Sequence, residues 1–491
     1  MARRPKAPGS PARALVWSFA NTAFSKIGGM AIGIVLARLL GPEQFGTFAV
    51  AMVALMAVLS FSELGVSLAI VRWRSDPREI VPTVTTISVL ASLAFYAAGY
   101  FAAPAFSSMM GSPEATPVVR WLLVAVVVNG VVAAPAALLQ REFRQGVRTA
   151  IDQVNTWLGA AVSIVLALLG WGAMSLAAGR IVGSVVSGVM FVVASPLPVR
   201  FGYNREVAGK LIRFGLPLAG ASIAVFLIGY VDQIAAGAIL GTVALGYYVL
   251  AFNLASWPVT MFSQPLRAVA PAAFARIQDD PAALSANFQV VFRAMAALAI
   301  PACLVIAGSA EPIIAIVYGE EWLPAAVALQ WLAGFAAVRI MFELSYDFLV
   351  VVRKTGWVLT VQLIWILALG AGVWVGAQSG IAGIAAAQLV IGVVIVLPLY
   401  LWGVHRSGVA LMGALARSLP SLLVGGAGLA AALIVSATVP DALAAFGVCF
   451  AIGLVTLAVA ILLDRKAFRE VLVAWRNPAP ATTDQPKEAL A

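Results

Sequence analysis

The chain has 491 residues, 62% of them hydrophobic and 11% charged, with a net charge of +10. A water-soluble domain carries about 25% charged residues and about 45–50% apolar ones, so this composition excludes a soluble globular protein and calls for a bilayer as solvent. The two cysteines, Cys303 and Cys449, sit in apolar runs with no CxxC and no metal spacing, and His405 is the single histidine.

In chain order, a basic start (Arg3, Arg4, Lys6, Arg13) runs into an apolar stretch. That stretch is too long for a signal peptide and lacks a small-residue cleavage site, so it reads as an uncleaved first membrane helix. A spanning helix needs about 20 mainly apolar residues. Fourteen such stretches follow: 14–40, 46–71, 80–104, 118–140, 149–170, 173–194, 211–240, 246–270, 287–310, 325–351, 356–378, 381–404, 414–438 and 442–463. Strands of a membrane barrel would instead alternate polarity over about 10 residues. The expected fold is therefore all-α and polytopic.

Charge sets the orientation. With the N-terminus inside, 26 of the 31 basic residues fall in cytoplasmic segments, while the outer loops hold Arg120 alone. The outer loops carry acids instead: Glu43, Glu114, Glu320, Glu321 and Asp441. Both termini are thus expected in the cytoplasm, in a multi-pass membrane protein. The tail 477–491 is polar and proline-rich and reads as disordered.

An internal repeat divides the chain. LGPEQFGTFAVA at 40–51 aligns with LGTVALGYYVLA at 240–251, with Leu40/Leu240, Gly41/Gly241, Gly46/Gly246 and Ala51/Ala251 identical. Both copies follow a span that starts inside, as parallel repeats do, and such transporters hold substrate between their halves. The expected domains are an N-lobe at 1–200, a C-lobe at 201–404, two extra helices with a basic segment at 405–476, and the tail.

FSKIGGMAIGIVLARLLGPEQFG (24–46) and FSELGVSLAIVR (61–72) resemble the opening of the Wzx-type polysaccharide flippases, of the multidrug/oligosaccharidyl-lipid/polysaccharide exporter superfamily. VDQIAAGAILGTVALGYYVLA (231–251), PAAFARIQDD (271–280) and VYGEEWLPAAVALQWLA (317–333) continue the resemblance in order. It implies a V-shaped bundle of two six-helix lobes around a central cavity, and an undecaprenyl-pyrophosphate-linked oligosaccharide as substrate. Lipid II flippases of the superfamily carry Arg-Asp where this chain has Ile32 and Gly33, which favours an exopolysaccharide, capsule or O-antigen unit over a peptidoglycan precursor.

Passing a pyrophosphate and a sugar through hydrocarbon requires a polar route with cations, and each charge at mid-bilayer costs several kcal/mol. The first span carries a polar stripe at Ser18, Thr22, Lys26, Gly29 and Gly33, one helix face. The eighth has Asn253, Ser256, Thr260, Ser263 and Arg267, and the tenth Arg339, Glu343 and Asp347. Lys26, Arg339, Arg180, Asn253 and Thr260 are the candidate substrate-binding residues, with Lys26 and Arg339 expected to face each other across the cleft. Structural ion pairs are the alternative for the cations, and helix–helix contact for the stripes. Asp232, Glu63 and Glu343 are candidates for ion coupling or gating. Asp232 and Glu343 alternatively serve as ion-pair partners, and Glu63 as a helix-end group. Arg38 reads as an interface anchor.

There is no nucleophile–base motif, no GxxxxGK[ST] and no segment large enough for an ATPase domain, so the chain is read as a non-enzyme without cofactor. Expected partners are the lipid-linked oligosaccharide, membrane lipids, and the polysaccharide polymerase and export machinery; nucleic acid is not among them. The competing readings are a drug/cation antiporter, a polysaccharide polymerase or ligase, and a structural membrane partner.

Overall fold

Backbone amides in hydrocarbon find no water, so a chain this apolar satisfies them within helices. The computed structural model describes residues 11–62, 69–71, 73, 76–263, 274 and 280–476, and all regular structure among them is helical. In chain order the helices are α1 (Pro11–Ser62), α2 (Val81–Met109), α3 (Thr116–Leu122), α4 (Val124–Arg141), α5 (Gln145–Leu168), α6 (Ala173–Ala194), α7 (Arg205–Leu240) and α8 (Thr242–Pro258). They continue with α9 (Pro281–Gly308), α10 (Ala310–Val317), α11 (Ala325–Val351), α12 (Thr355–Ala377), α13 (Gly380–Ile391), α14 (Leu397–Arg406), α15 (Leu411–Thr438), α16 (Ala442–Leu463) and α17 (Arg465–Arg476).

Among the described residues thirteen helices are long and apolar enough to cross a membrane. The difference from fourteen lies at the start. Gly28–Phe61 counts as one helix of 34 residues, which if straight would be about 51 Å long, against about 30 Å of hydrocarbon. It is not straight: Gly41 leaves the helix at φ 69, ψ 174. That backbone is open to glycine and strained for other residues. The segment therefore holds parts of the first two expected spans, 14–40 and 46–71, joined by a one-residue break; residues 63–68 of the second lie outside the described residues.

Two compact units divide the chain. The first comprises Met1–Leu250, Val317–Ala325 and Val373–Ile384; the second comprises Ala251–Ile316, Ala326–Gly372 and Ala385–Ala491. In the first, the two copies of the repeated motif pack on each other. Gly41 and Gly241 share a conformation, φ 69, ψ 174 and φ 88, ψ 178. A Cβ on Gly46 would strike the Thr242 carbonyl, and one on Gly246 would strike the carbonyl of Pro42, the residue equivalent to Thr242. Trp322, 1% exposed, closes over them, edge-on to Phe45 at 5.5 Å and to Tyr247 at 5.9 Å.

Because both obstructing atoms are backbone carbonyls, the space cannot open by a rotamer change. Gly46→Ala is expected to destabilise the protein by about 1–3 kcal/mol, as overpacking does. Gly29→Ala, where a Cβ meets nothing within 4 Å, should be neutral. Melting temperatures of the two variants in one detergent check the contrast.

Lipid gives helices no hydrophobic reason to associate, so close packing of small residues holds them together. On α5 and α6, Gly159 lies against the carbonyl of Gly179, and Gly179 against Ser163. The large apolar side chains point the other way: Val165, Leu168, Val189 and Val193 are 56–80% exposed. In the second unit α15 packs along α9 in the same manner, Gly425 on Pro301 and Leu304, and Gly308 on Leu429.

A second local geometry recurs. Phe143 and Arg353 are non-glycine residues with positive φ, 56 and 58. Each ends a helix with the same pair of bonds: Phe143 N–H to Gln140 O and Arg144 N–H to Leu139 O, then Arg353 N–H to Val350 O and Lys354 N–H to Leu349 O. This is the Schellman stop, which usually has glycine at that place.

Candidate functional site

The helical period sorts α6 into two faces. Val182, Val185, Val189 and Val193 are exposed and apolar, spaced as one lipid-facing row. The opposite row is Ala173, Ala177, Arg180, Ser184, Ser187 and Phe191. Ala173, Ala177, Ser187 and Phe191 are buried, Ser184 is half-buried, and Arg180 is exposed. Arg180 thus stands on the face of α6 opposite the exposed valines, in a row whose other members are buried or half-buried. Tyr230 of α7 is its electrostatic neighbour, stacked on Phe226 at 5.1 Å.

Helix α5 adds a row at the same spacing: Gln145, Thr149, Asp152, Thr156, Gly159 and Ser163. The first four are exposed, and Gly159 and Ser163 are buried under α6. Its lipid face, Trp157, Ala161, Val165 and Leu168, lies on the opposite side and is exposed too. Since Gly179 meets Gly159, Arg180 stands at the level where the open polar row closes. Asp152 and Thr156 are not among the candidates marked by charge within the spans, although the 3–4 spacing of polar residues from Gln145 signals them.

Asp232 of α7 is 1% exposed. Its carboxylate accepts from the Tyr248 hydroxyl at 2.8 Å and from the Gln233 N–H at 2.9 Å. Lys26 falls on α1, but its side chain is not among those described, and Glu63 lies outside the described residues. Gly29 and Gly33, on the Lys26 stripe, are exposed and border open space. Arg38, exposed, donates from Nε to the Val317 carbonyl at 2.8 Å.

In the second unit, Asn253 is exposed and Ser256 and Thr260 are half-buried, while Ala251, Ala255 and Pro258 on the other side of α8 are buried. After Pro258 the helix widens into a π segment, Val259–Ser263. Such segments re-aim side chains, and Ser263 donates to Glu343 Oε2 at 3.1 Å. The other carboxylate oxygen accepts from Arg339 Nε at 2.8 Å. Helix α11 is buried over most of its length, yet Arg339, Glu343, Tyr346 and Asp347 remain partly open. The sequence suggested the Arg339–Glu343 spacing; the bond from Ser263 depends on the π segment, which sequence periodicity does not reveal. No group of three His, Cys, Asp or Glu side chains among the described residues could hold a metal.

A family model described as polysaccharide biosynthesis protein matches residues 35–327, more than half the chain. The chain belongs to this family. Among the polysaccharide biosynthesis relatives, the succinoglycan biosynthesis transport protein ExoT of Rhizobium meliloti (strain 1021) is 26% identical over 301 residues, 61% of this chain and 60% of that one. The lipopolysaccharide biosynthesis protein WzxC of Escherichia coli (strain K12) is 25% identical over 307 residues, 62% of each chain. The matched region thus spans about three fifths of these relatives. Among solved structures, the lipid II flippase MurJ in an inward closed conformation aligns with TM-score 0.74 at 14% identity, over 94% of this chain and 100% of that one. An inward-facing multidrug resistance MATE family transporter aligns with TM-score 0.61 at 16% identity, over 77% and 94%. The likeness to both is one of fold. The polysaccharide biosynthesis family is the one that the residues at 24–72 already resemble.

Proposed function

We propose that the protein is a flippase that moves an undecaprenyl-pyrophosphate-linked oligosaccharide across the bacterial inner membrane by alternating access, for exopolysaccharide, capsule or O-antigen export. The observation that carries this reading is Arg180, a cation exposed on the inward row of a membrane helix at the head of a polar row. A phosphate is the kind of charge that compensates such a cation. Gln145, Thr149, Asp152 and Thr156 supply hydrogen-bonding groups suited to sugar hydroxyls. Lys26, Arg339, Asn253 and Thr260 join Arg180 as substrate contacts, with Asp232, Glu63 and Glu343 in ion coupling or gating. Family membership and the names of the two relatives support polysaccharide export.

The reading includes two parallel six-helix repeats followed by two helices. The matched conformations of Gly41 and Gly241, and of Phe143 and Arg353, support it. The polymerase and export machinery are the protein partners of the reading.

Reconstituted vesicles test the function directly. The purified protein should carry a fluorescent lipid-linked oligosaccharide from one leaflet to the other, and leave a phosphatidylcholine probe where it started. Failure to move any polyprenyl-pyrophosphate-linked sugar by folded protein sinks the reading.

The reading puts both termini in the cytoplasm, on the distribution of basic residues. Glu114 and Gly146 are exposed, and on this reading they lie on opposite sides of the membrane. Ser112 is a poor probe, being fully buried with its hydroxyl on Glu114. In a chain without native cysteines, Glu114→Cys should react with an impermeant thiol reagent in intact cells and Gly146→Cys should not. The reverse labelling pattern overturns the orientation.

A further inference from the structure

We infer that Glu343 is a built-in substitute for the substrate phosphate, occupying Arg339 until the substrate displaces it. The inference rests on the flippase reading and specifies how one of its cations is kept. Arg339 lies near the middle of α11, its side chain 34% exposed, and Glu343 stands one turn on at 13%. A bare guanidinium at mid-membrane is costly, and a carboxylate at 2.8 Å offsets that cost.

Phosphate and carboxylate compete for the same donors, since both accept charge-assisted bonds from arginine. A substrate phosphate reaching the open side of Arg339 therefore gains that cation at the expense of the Glu343 bond. The displaced carboxylate must not be left without a partner in hydrocarbon, where an unsatisfied charge is penalised heavily. Ser263 meets that need. Its hydroxyl holds Oε2, the oxygen that Arg339 does not use in this bond. The π segment Val259–Ser263 brings the hydroxyl there. The carboxylate thus has a holder besides Arg339, and losing the arginine leaves the hydroxyl in place.

The consequence is a cation that is never bare: paired when empty, paired when loaded, and exchanged in one step. Affinity is held down in return, because every binding event replaces an existing ion pair.

The test measures binding of farnesyl pyrophosphate to purified protein in detergent by calorimetry. Glu343→Gln removes the competing charge while keeping size and a hydrogen bond to Ser263, so affinity should rise about tenfold, the scale of one charge-assisted bond. The gain should vanish in the Glu343→Gln, Arg339→Gln double variant. Equal or weaker binding by folded Glu343→Gln overturns the inference. If folded wild type and every variant fail to bind the probe, the pyrophosphate reading itself falls.

Discussion

Arg293→Met should lower stability by about 3–5 kcal/mol, the cost of stranding a buried charge. The stranded group is Asp464, whose side chain is 5% exposed, paired with Arg293 at 17%. Arg293 belongs to α9, and Asp464 joins α16 to α17, so this pair fastens the last helices to the body of their unit. The pair is incompletely satisfied: among the described residues, Arg293 Nε and the second Asp464 oxygen are buried without a hydrogen bond. Removing both charges is therefore a different experiment from removing one. Arg293→Met with Asp464→Leu should restore most of the loss, since apolar replacements of buried pairs are often neutral. Thermal unfolding in detergent of the two single variants and the double variant decides it. A double variant as unstable as the sum of the singles would show that packing, and not charge, accounts for the effect.

Arg180→Gln should reduce the initial rate of oligosaccharide flipping roughly ten- to hundredfold. That range corresponds to one hydrogen bond to a charged group in a partly dehydrated site, about 1.5–3 kcal/mol. Arg180→Lys should retain an intermediate rate, keeping the charge but losing the planar fork that grips a phosphate at two points. Arg180 is exposed, so neither change removes a buried packing contact, and the melting temperature should stay close to wild type. The same flux in Arg180→Gln as in wild type, at equal protein per vesicle, excludes a substrate contact. A lowered melting temperature with normal flux assigns the arginine to architecture instead.

Much of the fold is legible in the sequence because hydrocarbon leaves so few choices. Spans 173–194 and 442–463 coincide with α6 and α16, since each is bounded by glycine, proline or charge. The break at Gly41 was legible too, through its twin at Gly241. Long helices were harder to bound: α7 begins at Arg205, well before its apolar stretch, because Asn204 caps its first turn through Glu206 and Val207 N–H. At the candidate site, charge in an apolar run marks Arg180, Arg339 and Asp232 clearly. What the run does not give is direction. Whether Arg180 faces lipid or protein emerges only when the exposed valines fix the outward row. Likewise, the bonds that Tyr248 gives Asp232 and Ser263 gives Glu343 come from residues outside their own helices, and no spacing along one helix predicts them.

The contact between Gly46 and Gly246 also constrains how such a chain can drift. Each glycine occupies room that the other leaves empty, so neither position is free to enlarge while its counterpart's backbone stays where it is. A mutation at one site is judged against the state of a residue two hundred positions away. Any lineage that gains volume at one of them must first have moved the carbonyl of Pro42 or Thr242 aside.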